Sequence, residues 1–374
     1  MTPAPPLPRW ADVFVLPLIN LMVALAVCGL IVLALGENPF VAIQVMVKGA
    51  FVYPGSLGYT LYYTTNFIFT GLAVAVAAQA MMFNIGGEGQ AYIGGLGAGL
   101  VALWLAPMAP LVLVIPVAIL AAALFGAVWG LIPGYLQAYR GSHIVITTIM
   151  FNFIASAIMV WLLAGALMQP GQQSPHTAQF VVSGQMPKLH DMLNTLSFNV
   201  AASPLNLSFL LALAALLGFW VLIWKTRIGY EIRAVGQNPK AAHYAGINVP
   251  LVIVFALAVS GACAGLMATN EILGVQHRVV LNFTSGYGFA GIAIALMGRN
   301  HPVGIFFASL LFGALYQGGA ELDFEFQSIT REIVLLIQGM IVLFSGALAY
   351  MFSAPLARLL ARLPVRSKPA EGEA

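Results

Sequence analysis

The chain has 374 residues, of which 61% are hydrophobic and 7% charged; its mean hydropathy is +0.94. A soluble domain is usually about 45–50% apolar and about 25% charged, so this composition excludes an ordinary soluble enzyme and points to a polytopic membrane protein. The net charge of +3 fits Lys- and Arg-rich cytoplasmic loops rather than a nucleic-acid partner.

Length here counts spans of about 20 residues each. In chain order, ten apolar runs are candidate spans: 13–35, 56–80, 91–106, 110–136, 144–167, 207–224, 251–274, 286–298, 303–320 and 331–352. The first run is too long for a signal-peptide core and no small-residue cleavage site stands out, so it reads as a span that stays. The eighth is too short to cross alone as a straight helix. Cys28 and Cys263 fall inside apolar runs without CxxC spacing, which predicts neither a disulfide framework nor a metal site.

With the N-terminus in the cytoplasm, eleven basic residues lie inside: Arg9, Arg140, Lys225, Arg227, Arg233, Lys240, Arg299, Arg358, Arg362, Arg366 and Lys368. Only four lie outside, namely Lys48, Lys188, Arg278 and Arg331. The positive-inside rule therefore puts both termini in the cytoplasm. The tail 354–374 reads as basic and flexible.

Two loops exceed what a tight bundle needs. The outer one, 168–206, is rich in proline; it reads equally as a surface for an external partner or as an ordinary long loop. The inner one, 225–250, is KTRIGYEIRAVGQNPKAAHYAGINVP. Asn238 is a good N-cap, Pro239 suits a first helical turn and Gly246 suits a helix end. A short helix, Pro239–Ala245, is expected, with Ala241, Ala242 and Ala245 leaving one face able to enter a shallow groove. On pattern alone, a short amphipathic helix resting on lipid headgroups fits as well.

Ten spans divide into five and five, and an odd number per half inverts the halves across the membrane, as in many transporters. Each half carries a glycine-rich break after its second span: FNIGGEGQ at 83–90 and FTSGYGFAG at 283–291. Unpaired backbone in hydrocarbon is costly, so such breaks survive inside protein or beside a water-filled cavity. The helix that restarts is expected to offer free N–H groups to a polar solute. Glu88 sits at one such restart. Glu271 falls in the seventh run, where a carboxylate either faces a pathway or is solvated at the outer interface. Asn66, Gln79, Thr147, Thr148 and Asn152 are the other intramembrane polar groups. The two threonines are expected to bond back to their own helix, and Asn152 to act in helix packing. No row of ionisable residues suggests an ion relay. There is no GxxxxGK[ST], no HExxH and no defensible Ser/His/Asp set, so neither ATP hydrolysis nor hydrolytic catalysis is expected of this chain.

FNIGGEGQ, VITTIMFNFIA (145–155), RAVGQNPKAAHYAGI (233–247) and SGYGFAGIAIALMGRNHPVG (285–304) occur in that order. Together they resemble the permease subunits of bacterial ABC importers in the branched-chain amino acid, ribose and nucleoside superfamily, and most of all its nucleoside and simple-sugar branch. The resemblance covers about 12–350. It implies an all-α polytopic fold of about ten transmembrane helices, in two inverted five-helix halves with broken helices. The chain would be one permease domain, 1–374, with halves at 1–167 and 207–353, an extracytoplasmic loop at 168–206 and a cytoplasmic coupling loop at 225–250. It would sit in the bacterial cytoplasmic membrane as a non-enzymatic transport subunit.

The resemblance further implies partners: cytoplasmic ABC ATPase subunits, a second permease subunit of the same or a different chain, an extracytoplasmic solute-binding protein, and lipid. No cofactor or metal is expected in this chain, ATP and Mg being bound by the ATPase. Gln237, Asn238, Pro239, Lys240, Ala241, Ala242, Tyr244, Ala245 and Gly246 match the coupling segment that docks into the ATPase. Family members often carry Glu at the position of Lys240, which suggests a partner matched in charge, and many carry an acid where Ile144 stands. Asn84, Gly86, Gly87, Glu88, Gln90, Asn152, Glu271 and Tyr287 are expected along the translocation pathway. The rivals are a branched-chain amino acid permease, whose solute carboxylate the helix N-termini would bind, an ion-coupled secondary carrier, and a membrane enzyme such as a lipid-linked transferase.

Overall fold

The computed structural model describes residues 8, 11, 15–326, 328–344 and 351–361. Arg9, Arg362, Arg366, Lys368 and the tail from 362 onward lie outside the described residues. The described chain is helical. In order its helices are α1 (Leu16–Ala34), α2 (Pro39–Phe51), α3 (Ser56–Gln79), α4 (Gly87–Trp104), α5 (Leu111–Arg140), α6 (Ile144–Ala164), α7 (Leu189–Thr195), α8 (Ser208–Lys225), α9 (Arg227–Gln237), α10 (Pro239–Tyr244), α11 (Val249–Ala268), α12 (Tyr287–Met297), α13 (Pro302–Glu325), α14 (Arg331–Val342) and α15 (Ser353–Ala361). Two isolated bridges, His176 to Val280 and Lys188 to Asn206, are the extended pairings among the described residues.

Each predicted apolar run contains a helix, with shifted boundaries. The third begins at Gly87, inside the first glycine-rich break, rather than at 91. The seventh continues from α11 into a π-helical segment, Thr269–Gln276. The tail expected from 354 begins instead as α15. α2 escaped the sequence reading, although its start carries the same Asn-Pro signal as α10: Asn38 Oδ1 accepts the Phe40 N–H at 2.9 Å.

Among the described residues, six helical segments are long and apolar enough to cross a membrane: α3, α5, α6, α8, α13, and α11 with its π extension. Counting α1 and α2 as one interrupted span makes seven. α12 is an apolar helix of 11 residues, short as its sequence run foretold.

The chain divides into two compact units, Met1–Phe40 with Ser328–Ala374, and Val41–Gln327. In the first, Cys28 Sγ approaches the Ile337 carbonyl at 3.7 Å, tying α1 to α14. Ser328 donates to Glu37 at 2.5 Å. Val32, Ile337 and Ile341 are buried there.

The second unit is built around α3. Of its most apolar stretch 83% is buried, against 22% for α6, so α3 lies inside protein and α6 at the periphery. That position explains its unusual polarity. Thr60, Thr64, Thr65, Asn66 and Thr70 are all buried. Thr64, Thr65 and Thr70 donate back to carbonyls four residues earlier, which satisfies the hydroxyls without a partner helix.

α5 and α11 meet through glycine. Gly126, Gly130 and Gly134 recur at four-residue intervals on α5, and Gly261 and Gly265 on α11. A Cβ added to Gly265 would lie 2.2 Å from the Ala122 carbonyl oxygen. The backbones touch, as small residues permit between membrane helices that lack a hydrophobic drive to associate.

The long loop is ordered against this unit. Phe180 N donates to the His277 carbonyl at 2.7 Å, Met186 N to the Leu273 carbonyl at 2.8 Å and Thr177 N to the Val279 carbonyl at 3.1 Å. Residues 177–186 thus clasp the chain that leaves the π-helical segment. The outer side of the loop keeps Val182, Leu196 and Phe198 exposed.

Candidate functional site

The two glycine-rich breaks, far apart in sequence, come together. At the first, Asn84 Oδ1 accepts the Gly86 N–H at 2.8 Å. Asn152, from α6, accepts the Gly89 N–H and donates to the Ile85 carbonyl, both at 2.9 Å. Asn84 Nδ2 donates to Gln90 at 2.9 Å and to Ser260 of α11 at 2.7 Å. Asn84, Gln90 and Ser260 are all buried. The side chains of Asn84, Gln90 and Asn152 are therefore engaged in holding the break and tying it to α6 and α11.

Glu88 reaches across to the second break. Its Oε1 accepts the Gly286 N–H at 2.9 Å and its Oε2 the Gly288 N–H at 2.8 Å. Gly286 caps α12 in the left-handed region, at φ 80°. The first turn of α4 thus supplies the acid that caps the first turn of α12, where the helix dipole favours a negative charge. The backbones close in as well: a Cβ on Gly288 would lie 2.3 Å from the Glu88 nitrogen.

This corrects one expectation. The restarting helices were expected to offer free N–H groups to a solute. The amides named above are instead bonded to Glu88, Asn84 and Asn152, side chains of the same protein.

Beside the junction lies a second polar group. Glu271 sits in the π-helical segment and is 3% exposed, which excludes the solvated interfacial position. Its Oε1 accepts the Tyr62 hydroxyl and, at 2.6 Å, Asn66 Nδ2. Asn270 Nδ2 donates to Asn66 Oδ1 at 2.8 Å and to the Tyr62 carbonyl at 3.1 Å. Asn206, at the end of the long loop, donates to Asn270 Oδ1 at 2.8 Å. A chain of amides therefore runs from α3 through the π segment to the start of α8. The donors that hold Glu88 and Glu271 are uncharged.

A run of ring contacts leads from Tyr62, the partner of Glu271, through Tyr63 at 5.0 Å to Tyr287, which lies between the two glycines that Glu88 caps. Tyr287 packs edge-on against Phe67 at 5.5 Å and lies 6.0 Å from Tyr316. Tyr316 stands 4.9 Å from Phe67 and 5.7 Å from Tyr63. Tyr63 and Tyr316 are half-buried and Tyr287 is buried. Tyr62, Tyr63, Asn270 and Tyr316 were not singled out from sequence. The spacing of Tyr62 and Asn66, four apart on α3, is the signal that places them on one face.

The inner loop forms a separate feature. Thr226 caps α9, accepting the Gly229 N–H at 3.0 Å. Asn238 Oδ1 accepts the Lys240 and Ala241 N–H groups, both at 3.1 Å, and Pro239 opens α10. Ala245 follows α10, and Gly246 adopts the left-handed region, at φ 80°. Gln237, Asn238, Pro239, Lys240, Ala241, Ala245 and Gly246 are exposed, and Tyr244 is 92% exposed. Ala242 is buried. It packs inward, so it does not share the outward face expected of Ala241, Ala242 and Ala245. Elsewhere, Thr147 and Thr148 bond back to the carbonyls of His143 and Ile144 as expected, and Gln79 donates to the Asn300 carbonyl.

Residues 56–346 match the family described as the permease component of the branched-chain amino acid transport system. The chain belongs to this permease family. The matched stretch contains both glycine-rich breaks, the Glu271 cluster and α10. The permease is 33% identical to a glucose ABC transporter permease of Haloferax volcanii, with 92% of this chain and 90% of that one aligned. It is 34% identical to a nucleoside ABC transporter permease of Lactococcus lactis, over 88% and 89% of the two chains. It is 34% identical to a guanosine ABC transporter permease of Bacillus subtilis, over 88% and 91%. Family and apolar helices together make the permease a multi-pass membrane protein and a transport subunit.

Proposed function

We propose that this permease forms the translocation pathway of an ATP-driven ABC importer for nucleosides or related neutral sugars. The observation that carries the reading is the pair Glu88 and Glu271, each held by uncharged donors, with the rings of Tyr62, Tyr63, Tyr316 and Tyr287 in successive contact from one site to the other. Such a lining suits an uncharged solute rich in hydroxyls and aromatic surface. The names of the relatives aligned above support the same solute class.

The chain would act as one domain whose halves, 1–167 and 207–353, are inverted repeats. Ten crossing elements would arise if α1, α4, α12 and α14 cross together with the six long segments. Both termini would be cytoplasmic, in a bacterial inner membrane, with 168–206 outside. Separate ATPase subunits would bind ATP and Mg, and this chain no cofactor, metal or nucleic acid. ATP-driven closure of the ATPase pair would move α10, through Lys240, Ala241, Tyr244 and their neighbours, and the pathway would alternate its access. A second permease, a solute-binding protein on the side of 168–206, and lipid would complete the assembly.

The family description favours a second reading, a branched-chain amino acid permease. That solute needs a site for its carboxylate. The capping of Gly86, Gly89, Gly286 and Gly288 by Asn84, Asn152 and Glu88 counts against it. The test is ATP-dependent uptake of labelled guanosine, glucose and leucine by the permease reconstituted with its partner subunits. Guanosine or glucose uptake that excess leucine leaves untouched is expected. Uptake of leucine alone overturns the proposal.

A further inference from the structure

We propose that Glu271 is the acceptor for a vicinal diol of the solute, so that the permease itself selects a ribose ring over one lacking a hydroxyl. The inference rests on the transport reading above and names the solute feature read at that site.

Glu271 lies where a π-helical segment replaces the α-helix. Such insertions are rare and are frequent at functional sites. Here the consecutive residues Asn270 and Glu271 both face α3. A carboxylate at this depth has a high desolvation cost and is usually retained for function. Its two donors, the Tyr62 hydroxyl and the Asn66 amide, converge on one oxygen. An ionised carboxylate has about four acceptor positions, so it can take two adjacent hydroxyls side by side. Tyr62 and Asn66 present to Glu271 the donor pair that a cis-diol would present. From Tyr62 the rings of Tyr63, Tyr316 and Tyr287 follow in successive contact, with those of Tyr63 and Tyr316 half-buried, as faces for the apolar side of a sugar or base.

In the arrangement seen here the protein's own donors satisfy Glu271. When the pathway opens, the hydroxyls of the solute replace Tyr62 and Asn66, and closure behind the solute restores them. A solute lacking one hydroxyl leaves a buried acceptor position unmatched, which is a strong basis for discrimination.

The experiment is paired uptake of a ribonucleoside and its 2′-deoxy counterpart by the complete complex in proteoliposomes. The readout is the ratio of the two within each preparation, so a smaller amount of folded complex cancels. The wild-type ratio is expected to be at least ten, to fall toward one in Glu271→Gln, and to persist in Tyr62→Phe, which keeps the carboxylate. Equal wild-type uptake of both solutes, or a ratio unchanged in Glu271→Gln, overturns the diol role while leaving the transport reading intact. Uptake of neither nucleoside nor sugar by the wild type removes the transport reading, and the diol role with it.

Discussion

Glu88, in the first turn of α4, binds two amides at the start of α12 that lie 198 and 200 positions further along the chain. A carboxylate in this position makes two charge-assisted hydrogen bonds, and removing it strands two part-buried amides. Hydrogen bonds to charged groups contribute about 1.5–3 kcal/mol. Glu88→Ala is therefore expected to lower stability by roughly that amount in denaturation of the detergent-solubilised complex. Glu88→Gln keeps one acceptor and should unfold closer to the wild type, yet lose uptake about ten-fold, because the neutral amide bonds only one of the two amides well. Wild-type uptake by Glu88→Gln would reduce Glu88 to a structural cap. Gly288→Ala is a sharper probe of the same contact. Its Cβ would fall 2.3 Å from the Glu88 nitrogen, and backbone cannot yield as a side chain does. Loss of uptake with the complex still assembled is the expected result. The sequence put Glu88 in the break beside a helix restart, with the apolar run itself from 91; it could not show that the acid lies in the first turn and caps a different helix, since no local rule links 88 to 286 and 288.

Among the elements, α10 was the most legible. Its N-cap, its first-turn proline and its terminating glycine act within a few residues of one another, and NPKAAHYAG contains them all. The orientation of its faces was not legible, because Ala242 is buried where α10 packs against the flanking helices α9 and α11, an arrangement no residue within α10 dictates. The coupling role proposed for α10 predicts a division by exposure. Tyr244→Ala should cut uptake ten-fold or more with the permease still folded, because Tyr244 makes no interior contact to lose at 92% exposure. Unchanged solute-stimulated ATP hydrolysis in that variant would argue against docking. Gly246→Val should act similarly, since a β-branched residue is strained at φ 80°. A bulky residue at Ala242 should instead lower folded yield, which size-exclusion profiles would report. α3 shows the opposite case. Its threonines and Asn66 depress its hydropathy because it is enclosed by protein, and composition read against a lipid standard misses that. The π-helical turn after α11 has no compositional signature at all.

At the level of the whole molecule, the proposed topology puts α10 and the long loop on opposite sides of the membrane. Single cysteines at Lys240 and Phe198, in a chain with Cys28 and Cys263 replaced by Ala, should label from opposite sides with a membrane-impermeant thiol reagent. Labelling from the same side would overturn the two-sided arrangement. The loop was expected to be either a partner surface or plain connection; its anchors to 273–280 are mostly backbone hydrogen bonds, which carry little sequence signature, with the Thr177 hydroxyl accepting the Val279 N–H as a side-chain addition.

The sequence by itself determined that this is a membrane protein, that its apolar runs are helices, and that α10 opens at Pro239 and closes within a residue of its expected end at Ala245. Each of these follows from composition or from chemistry within one or two helical turns. Tertiary structure alone decided which helix is central, how Glu88 closes one break against the other, and that Glu271 is buried against Tyr62 and Asn66. These depend on contacts between residues roughly 200 positions apart. Burial by distant parts of the chain, rather than local propensity, sets what each polar group there must satisfy.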